Sequence, residues 1–99
     1  MNASSKKRLD FSARAEREYL ESIAYIAEDS LVNAALVQGR IGNALELLIN
    51  FPMMGAKGRM PGTREYAVPN TSHTLVYRVT AEAIRIGHVM HQRRAYFNR

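Results

Sequence analysis

No cysteine occurs in the chain. A disulfide scaffold, a thiolate nucleophile and a Cys-ligated metal are therefore excluded. No apolar run approaches the roughly 18 residues that a membrane-spanning helix needs. The first residues, MNASSKKRLDFS, lack the apolar core of a secretion signal, so the expected location is cytoplasmic. A Gly-rich phosphate loop ahead of a helix, a His-Glu-x-x-His pair and a Gly-x-Ser-x-Gly elbow are all missing, which removes the commonest nucleotide, zinc-protease and serine-hydrolase chemistries. Three histidines, His73, His88 and His91, are present, but no neighbouring carboxylate or thiolate completes a ligand set. No metal and no cofactor are expected. Acidic residues are missing from two stretches. None follows Glu82, and none lies between Leu47 and Arg64.

Those acid-free stretches carry much of the positive charge. Lys57, Arg59 and Arg64 fall in or at the end of the first; Arg85, Arg93, Arg94 and Arg99 follow Glu82, with His88 and His91. The net charge is +5, and two local basic patches point to an anionic partner more strongly than a diffuse excess would. At 99 residues with 46% hydrophobic content, the chain is expected to form one domain, residues 1–99, around one small core. Residues 1–5 and 97–99 are expected to be frayed.

The apolar spacing gives the element order. Leu9 and Phe11 alternate in a short first strand. Ser12 is a helix N-cap, and a helical pattern runs from Ala13 to Asp29 with Leu20, Ile23, Ala24 and Ala27 on one face. Ser30 starts a second helix. Its stripe is Val37, Ile41, Ala44, Leu45 and Leu48, and Pro52 ends it. Both stripes are expected to face the core. Residues 52–63 (PMMGAKGRMPGT) read as a long loop with three glycines and two prolines. Three strands follow: Arg64–Val68, His73–Val79 and Ile84–His91. In the middle one His73, Leu75, Tyr77 and Val79 share a face, opposite Thr74, Val76 and Arg78. Gly87 interrupts the last strand and suggests a bulge that re-aims the residues after it. The fold class is α+β, β-α-α-β-β-β. Short connections make the last three strands an antiparallel meander, and the helical hairpin covers one face of the sheet.

The clustered polar residues permit two kinds of activity. His91 could move a proton, Arg94 and Arg78 could grip a scissile phosphate, and Tyr96 could stack on a base. That set would suit metal-independent cleavage of RNA. Alternatively, Lys57, Arg59, Arg64, His91, Arg93 and Arg94 form a basic surface that binds a macromolecule without acting on it. Arg78 could equally pair with Glu65 across strands.

Five segments, in order, carry a resemblance: Tyr25-Ile26-Ala27; Leu48 to Pro52 (LINFP); Gly62-Thr63-Arg64-Glu65; Leu75-Val76-Tyr77-Arg78-Val79; and Val89 to Arg94 (VMHQRR). With their spacing, the chain resembles the RelE/ParE superfamily of toxins from bacterial type II toxin–antitoxin systems, from about Leu9 to Tyr96. The wording is closer to the ParE side, often labelled plasmid-stabilisation proteins. The resemblance implies a growth-inhibiting toxin neutralised by an antitoxin, bound over the helical hairpin and sheet surface. ParE-type members poison DNA gyrase; RelE-type members cleave mRNA on the ribosome. The RelE pattern has lysines on the strand after the loop and an arginine before the Leu-Val-Tyr core. Here those places hold Glu65, Ala67 and Thr74, which weighs toward gyrase. A third reading is a degenerate member that acts only with its antitoxin, as a repressor.

Overall fold

The computed structural model describes residues 7–91. β1 (Arg8–Phe11) leads through Ser12 into α1 (Ala13–Asp29), and α2 (Leu31–Asn50) follows after Ser30 alone. A single 3-10 turn (Pro52–Met54) and a two-residue strand, β2 (Ala56–Lys57), come next. β3 (Arg64–Ala67), β4 (His73–Val79) and β5 (Ala83–His91) complete one sheet in the order β1-β5-β4-β3-β2. β1 runs parallel to β5, and every other pairing is antiparallel. The expected α+β class and the meander are therefore present.

Side-chain caps mark where the helices begin. Ser12 Oγ accepts the Ala15 amide at 2.9 Å, satisfying one of the amides that a helix start leaves without a partner. Ser30 serves both helices. Its N–H donates to the Ile26 carbonyl, and its Oγ accepts the Asn33 amide, each at 3.0 Å. One residue thus closes one helix and opens the next, which turns the chain back on itself.

α2 presents the expected face: Ile41, Ala44 and Leu48 are buried, with Val37 and Leu45 packed beside them. α1 does not. Its buried side is Ala15 and Ser22, with Tyr19 packed on the core and set edge-on to Phe11 at 6.3 Å. Leu20, expected inside, is 57% exposed, and Ala24 is exposed as well. The helix has two apolar stripes, and the core takes the one that carries small residues. Small side chains let a helix lie close on the bulkier Leu75, Ile84, Ile86 and Val89 of the sheet.

The stretch from Pro52 to Thr63, expected as a loop, is clamped from below. Tyr77 is 1% exposed, and its hydroxyl donates to the Pro52 carbonyl at 2.7 Å and accepts the Gly55 amide at 2.9 Å. Burial pushes the phenol pKa up, so the group stays protonated and able to donate. Arg64 Nη1 binds the Gly55 carbonyl at 2.6 Å. These bonds hold Ala56–Lys57 at the sheet edge, where they pair with Glu65 and Arg64. Gly55 is required by contact: a Cβ there would lie 2.5 Å from the Tyr77 hydroxyl oxygen.

The β4–β5 pairing slips by one residue between Val76 and Tyr77. Tyr77 faces Ile86 and Val76 faces His88, which leaves Gly87 as the extra residue of a bulge. Past it, Val89 pairs with Leu75 and His91 with His73, all on the helix-covered side of the sheet. His73 is 2% exposed, and its ring meets that of His91 edge-on at 5.0 Å. Neither ring nitrogen of His73 has a hydrogen-bond partner among the described residues. Burial, helped by the neighbouring His91, pulls the His73 pKa down from 6.5 to about 4.

Two outcomes follow for stability. Tyr77→Phe leaves the Gly55 amide and the Pro52 carbonyl without their partner and is expected to cost about 1–3 kcal/mol in urea unfolding. For His73, the unfolded ring takes up protons near 6.5 while the folded ring resists until about 4. Between those values the unfolded state holds more protons, so stability falls as pH falls across that window, by up to roughly 3 kcal/mol. His73→Leu is expected to flatten that part of the curve; an unchanged slope would discard the assignment.

Candidate functional site: the open face and end of the sheet

Helices cover one face of the sheet, so the functional question concerns the other face and the end of β5. The pairing register aligns Asp10 of β1, Arg85 of β5 and Arg78 of β4 across the open face. Val76 and His88 form the next cross-strand pair. Met60 and Thr63, from the segment before β3, wall one side. Together they line a groove of about 720 Å³.

The charges in this groove are unequally held. Arg85 lies 3.9 Å from Asp10. Arg8 lies 3.2 Å from the same carboxylate, and its guanidinium holds Asp10 below its usual pKa range. His88 Nδ1 is 3.6 Å from Glu18 of α1. Arg78 has a backbone carbonyl, that of Pro61 at 3.1 Å, and no carboxylate within ion-pair distance among the described residues. It does not pair with Glu65. That carboxylate instead receives the backbone amide of Arg59 at 3.1 Å and its guanidinium at 3.4 Å. Arg78 and Arg85 also sit directly opposite each other. Like charges in that position repel, and an anion placed between them would relieve the repulsion.

The expected RNA-cleaving set is not assembled on this face. His91 occupies the helix side, against His73, with its Nδ1 shut off from solvent. Arg78 is on the opposite side of the sheet. Arg94 and Tyr96, like Arg93, lie outside the described residues. Of the expected binding residues, Lys57 and Arg59 are exposed beside the edge strand β2. Arg64 is half-buried, with its Nη1 held by the Gly55 carbonyl. Among the described residues no group of three His, Cys, Asp or Glu could hold a metal, and no helix is long and apolar enough to cross a membrane.

Sequence reasoning overlooked Glu18. It lies one position from the buried Ala15–Tyr19–Ser22 side of α1, and a carboxylate bordering a buried stripe is the one available signal. Its Oε1 accepts the amide of Val89 at 2.9 Å, across 71 residues of chain.

Residues 9–96 match the family described as the ParE toxin of type II toxin–antitoxin system, parDE. The chain is 37% identical over 87 residues to "Putative toxin Y4kP" of Sinorhizobium fredii, an alignment that covers 88% of this chain and 90% of that protein. Among solved structures, it superposes on one of the chromosomal ParDE system of P. aeruginosa with a TM-score of 0.74 at 17% identity, covering 88% of this chain and 97% of that one. A mutant of E. coli YafQ gives 0.58 at 15% identity, covering 92% and 99%. YafQ in the E. coli DinJ–YafQ toxin–antitoxin complex gives 0.59 at 14% identity, covering 92% and 98%. The family match spans nearly the whole chain, and the ParDE and YafQ structures share the arrangement of two helices on a mixed sheet. The chain belongs to the ParE family of toxins of type II toxin–antitoxin systems.

Proposed function

We propose that this toxin arrests growth by binding DNA gyrase in the cytoplasm and is not a nuclease. A plasmid-stabilising role belongs to the same reading. The observation that carries it is the division of the basic residues between two faces. General acid–base cleavage needs the proton carrier within hydrogen-bond reach of the group it serves. His91 and Arg78 stand on opposite sides of the sheet. Glu65, where the RelE pattern is basic, puts negative charge near any phosphate on that side. What remains is a surface: Lys57 and Arg59 at one edge, and the end of β5 leading to Arg93 and Arg94.

The partner that neutralises it is an antitoxin, and the helical hairpin offers a surface for one. Leu20, Tyr25, Leu31, Val32 and Leu36 are between 46% and 76% exposed. Apolar side chains left outward on adjacent helices suit the apolar stripe of a partner helix.

One observation favours a ribosome-dependent endoribonuclease. The groove brings His88, not His91, beside Arg78 and Arg85. In that case His88 moves the proton and the arginines hold the phosphate.

Purified toxin is expected to inhibit gyrase supercoiling at micromolar concentration and to leave mRNA on stalled ribosomes intact. Codon-positioned cuts that vanish in His88→Ala would replace the gyrase reading with the nuclease. Neither effect, with growth unchanged on induction without antitoxin, would mark a degenerate member. For the antitoxin surface, Leu36→Glu is expected to weaken antitoxin binding by roughly tenfold or more. Its melting temperature should stay close to that of the parent, since Leu36 is exposed. Unchanged affinity in calorimetry would move that surface elsewhere.

A further inference from the structure

We propose that Glu18 is a positioning residue that fixes the register of the last strand, and with it which of His88 and His91 faces the open groove. The inference rests on the reading of the end of β5 as part of the target-binding surface.

β1 pairs with β5 only as far as Phe11 and Ile86. The chain then turns into α1, while β5 continues for five more residues, from Gly87 to His91. Among the described residues the outer edge of that extension has no neighbouring strand. Its backbone groups are met by residues at the start of α1. The Ser12 amide donates to the Ile86 carbonyl at 2.9 Å, and Ser12 Oγ donates to the Gly87 carbonyl at 3.1 Å. Glu18 then accepts the Val89 amide at 2.9 Å. The second carboxylate oxygen of Glu18 reaches Arg14 at 3.2 Å and His88 at 3.6 Å. A cap and a carboxylate, 6 positions apart on one helix, thus stand where a strand would be.

The bulge makes this placement consequential. Strand side chains alternate faces, so losing or moving a one-residue bulge turns every later residue over. In the bulged register Val89 and His91 face the helices and His88 faces the groove. Without the bulge His88 and Met90 would point inward, and Val89 and His91 outward. Gly87 permits the bulge but cannot require it, because glycine also fits a regular strand. Glu18 holds the first core residue beyond the bulge by its amide, and so selects the bulged register. It need touch no target to govern which side chains the end of β5 presents.

The test compares Glu18→Gln with Glu18→Ala. Gln retains a carbonyl that can accept the Val89 amide; Ala does not. Amide hydrogen exchange of the free toxin is read at Val89, Leu75 and Ile84. Growth arrest and antitoxin affinity are read at a temperature where all variants are fully folded. Glu18→Ala is expected to speed exchange at Val89 by roughly tenfold or more while Leu75 and Ile84 stay protected. It should weaken growth arrest comparably and leave antitoxin affinity within about threefold. Glu18→Gln is expected to restore Val89 protection and most of the arrest. The proposal is overturned if Glu18→Ala arrests growth like the parent, if Val89 protection is unaffected, or if Glu18→Gln is as impaired as Glu18→Ala. A parent toxin that arrests growth without inhibiting gyrase sinks the gyrase reading alone, since exchange and arrest still decide the role of Glu18.

Discussion

The one-residue slip between β4 and β5 at Gly87 governs the layout of this molecule. β4 and β5 are the centre of the sheet, and both the core and the open face are written on them. Up to Ile86 the alternation sends Ile84 and Ile86 inward and Arg85 outward. The extra residue resets the phase, so that Val89 joins Leu75 in the core and His91 meets His73 edge-on. A regular strand would have put His91 on the same face as Arg85 and Arg78, the face where an anion could bind. The same slip brings His88 into the groove in its place. One bulge thus decides which of the two histidines the open face displays.

The second organising contact is polar and deep. The Tyr77 hydroxyl and the Arg64 guanidinium take up backbone groups of Pro52 and Gly55 that burial would otherwise leave without partners. Their cost of burial is met locally, and the chain between helix and sheet becomes a defined wall of the groove. Arg64 shows how a cation in a basic stretch can be consumed by structure. Its charge still counts in the total, but its Nη1 is held by backbone carbonyls. Arg78, held by one carbonyl, keeps donors to offer.

Much of the architecture was legible along the chain because local chemistry sets it. Ser12 and Ser30 cap their helices through side-chain oxygens one turn away, and Pro52 stops the second helix. The β4 limits, His73 to Val79, follow from alternation. β2 escaped notice because two residues carry no periodicity; Ala56 and Lys57 are a strand only by virtue of Glu65 and Arg64 across from them. The candidate site was legible in composition but not in arrangement. Arg78 and His91 were visible as residues, whereas Glu18 entered through a bond spanning most of the chain.

The sequence by itself determined the helices, the order of the main strands, the meander and the family, since caps, periodicity and ordered motifs act over a few residues each. Tertiary structure alone decided which stripe of α1 is buried. It also decided where Arg64 spends its donors and which face receives His91. The physical reason is common to all three. A 3.6-residue or two-residue period fixes which side chains share a face, but only the opposing surface decides whether that face is covered. A strand also keeps its phase only until its partner forces an extra residue into it.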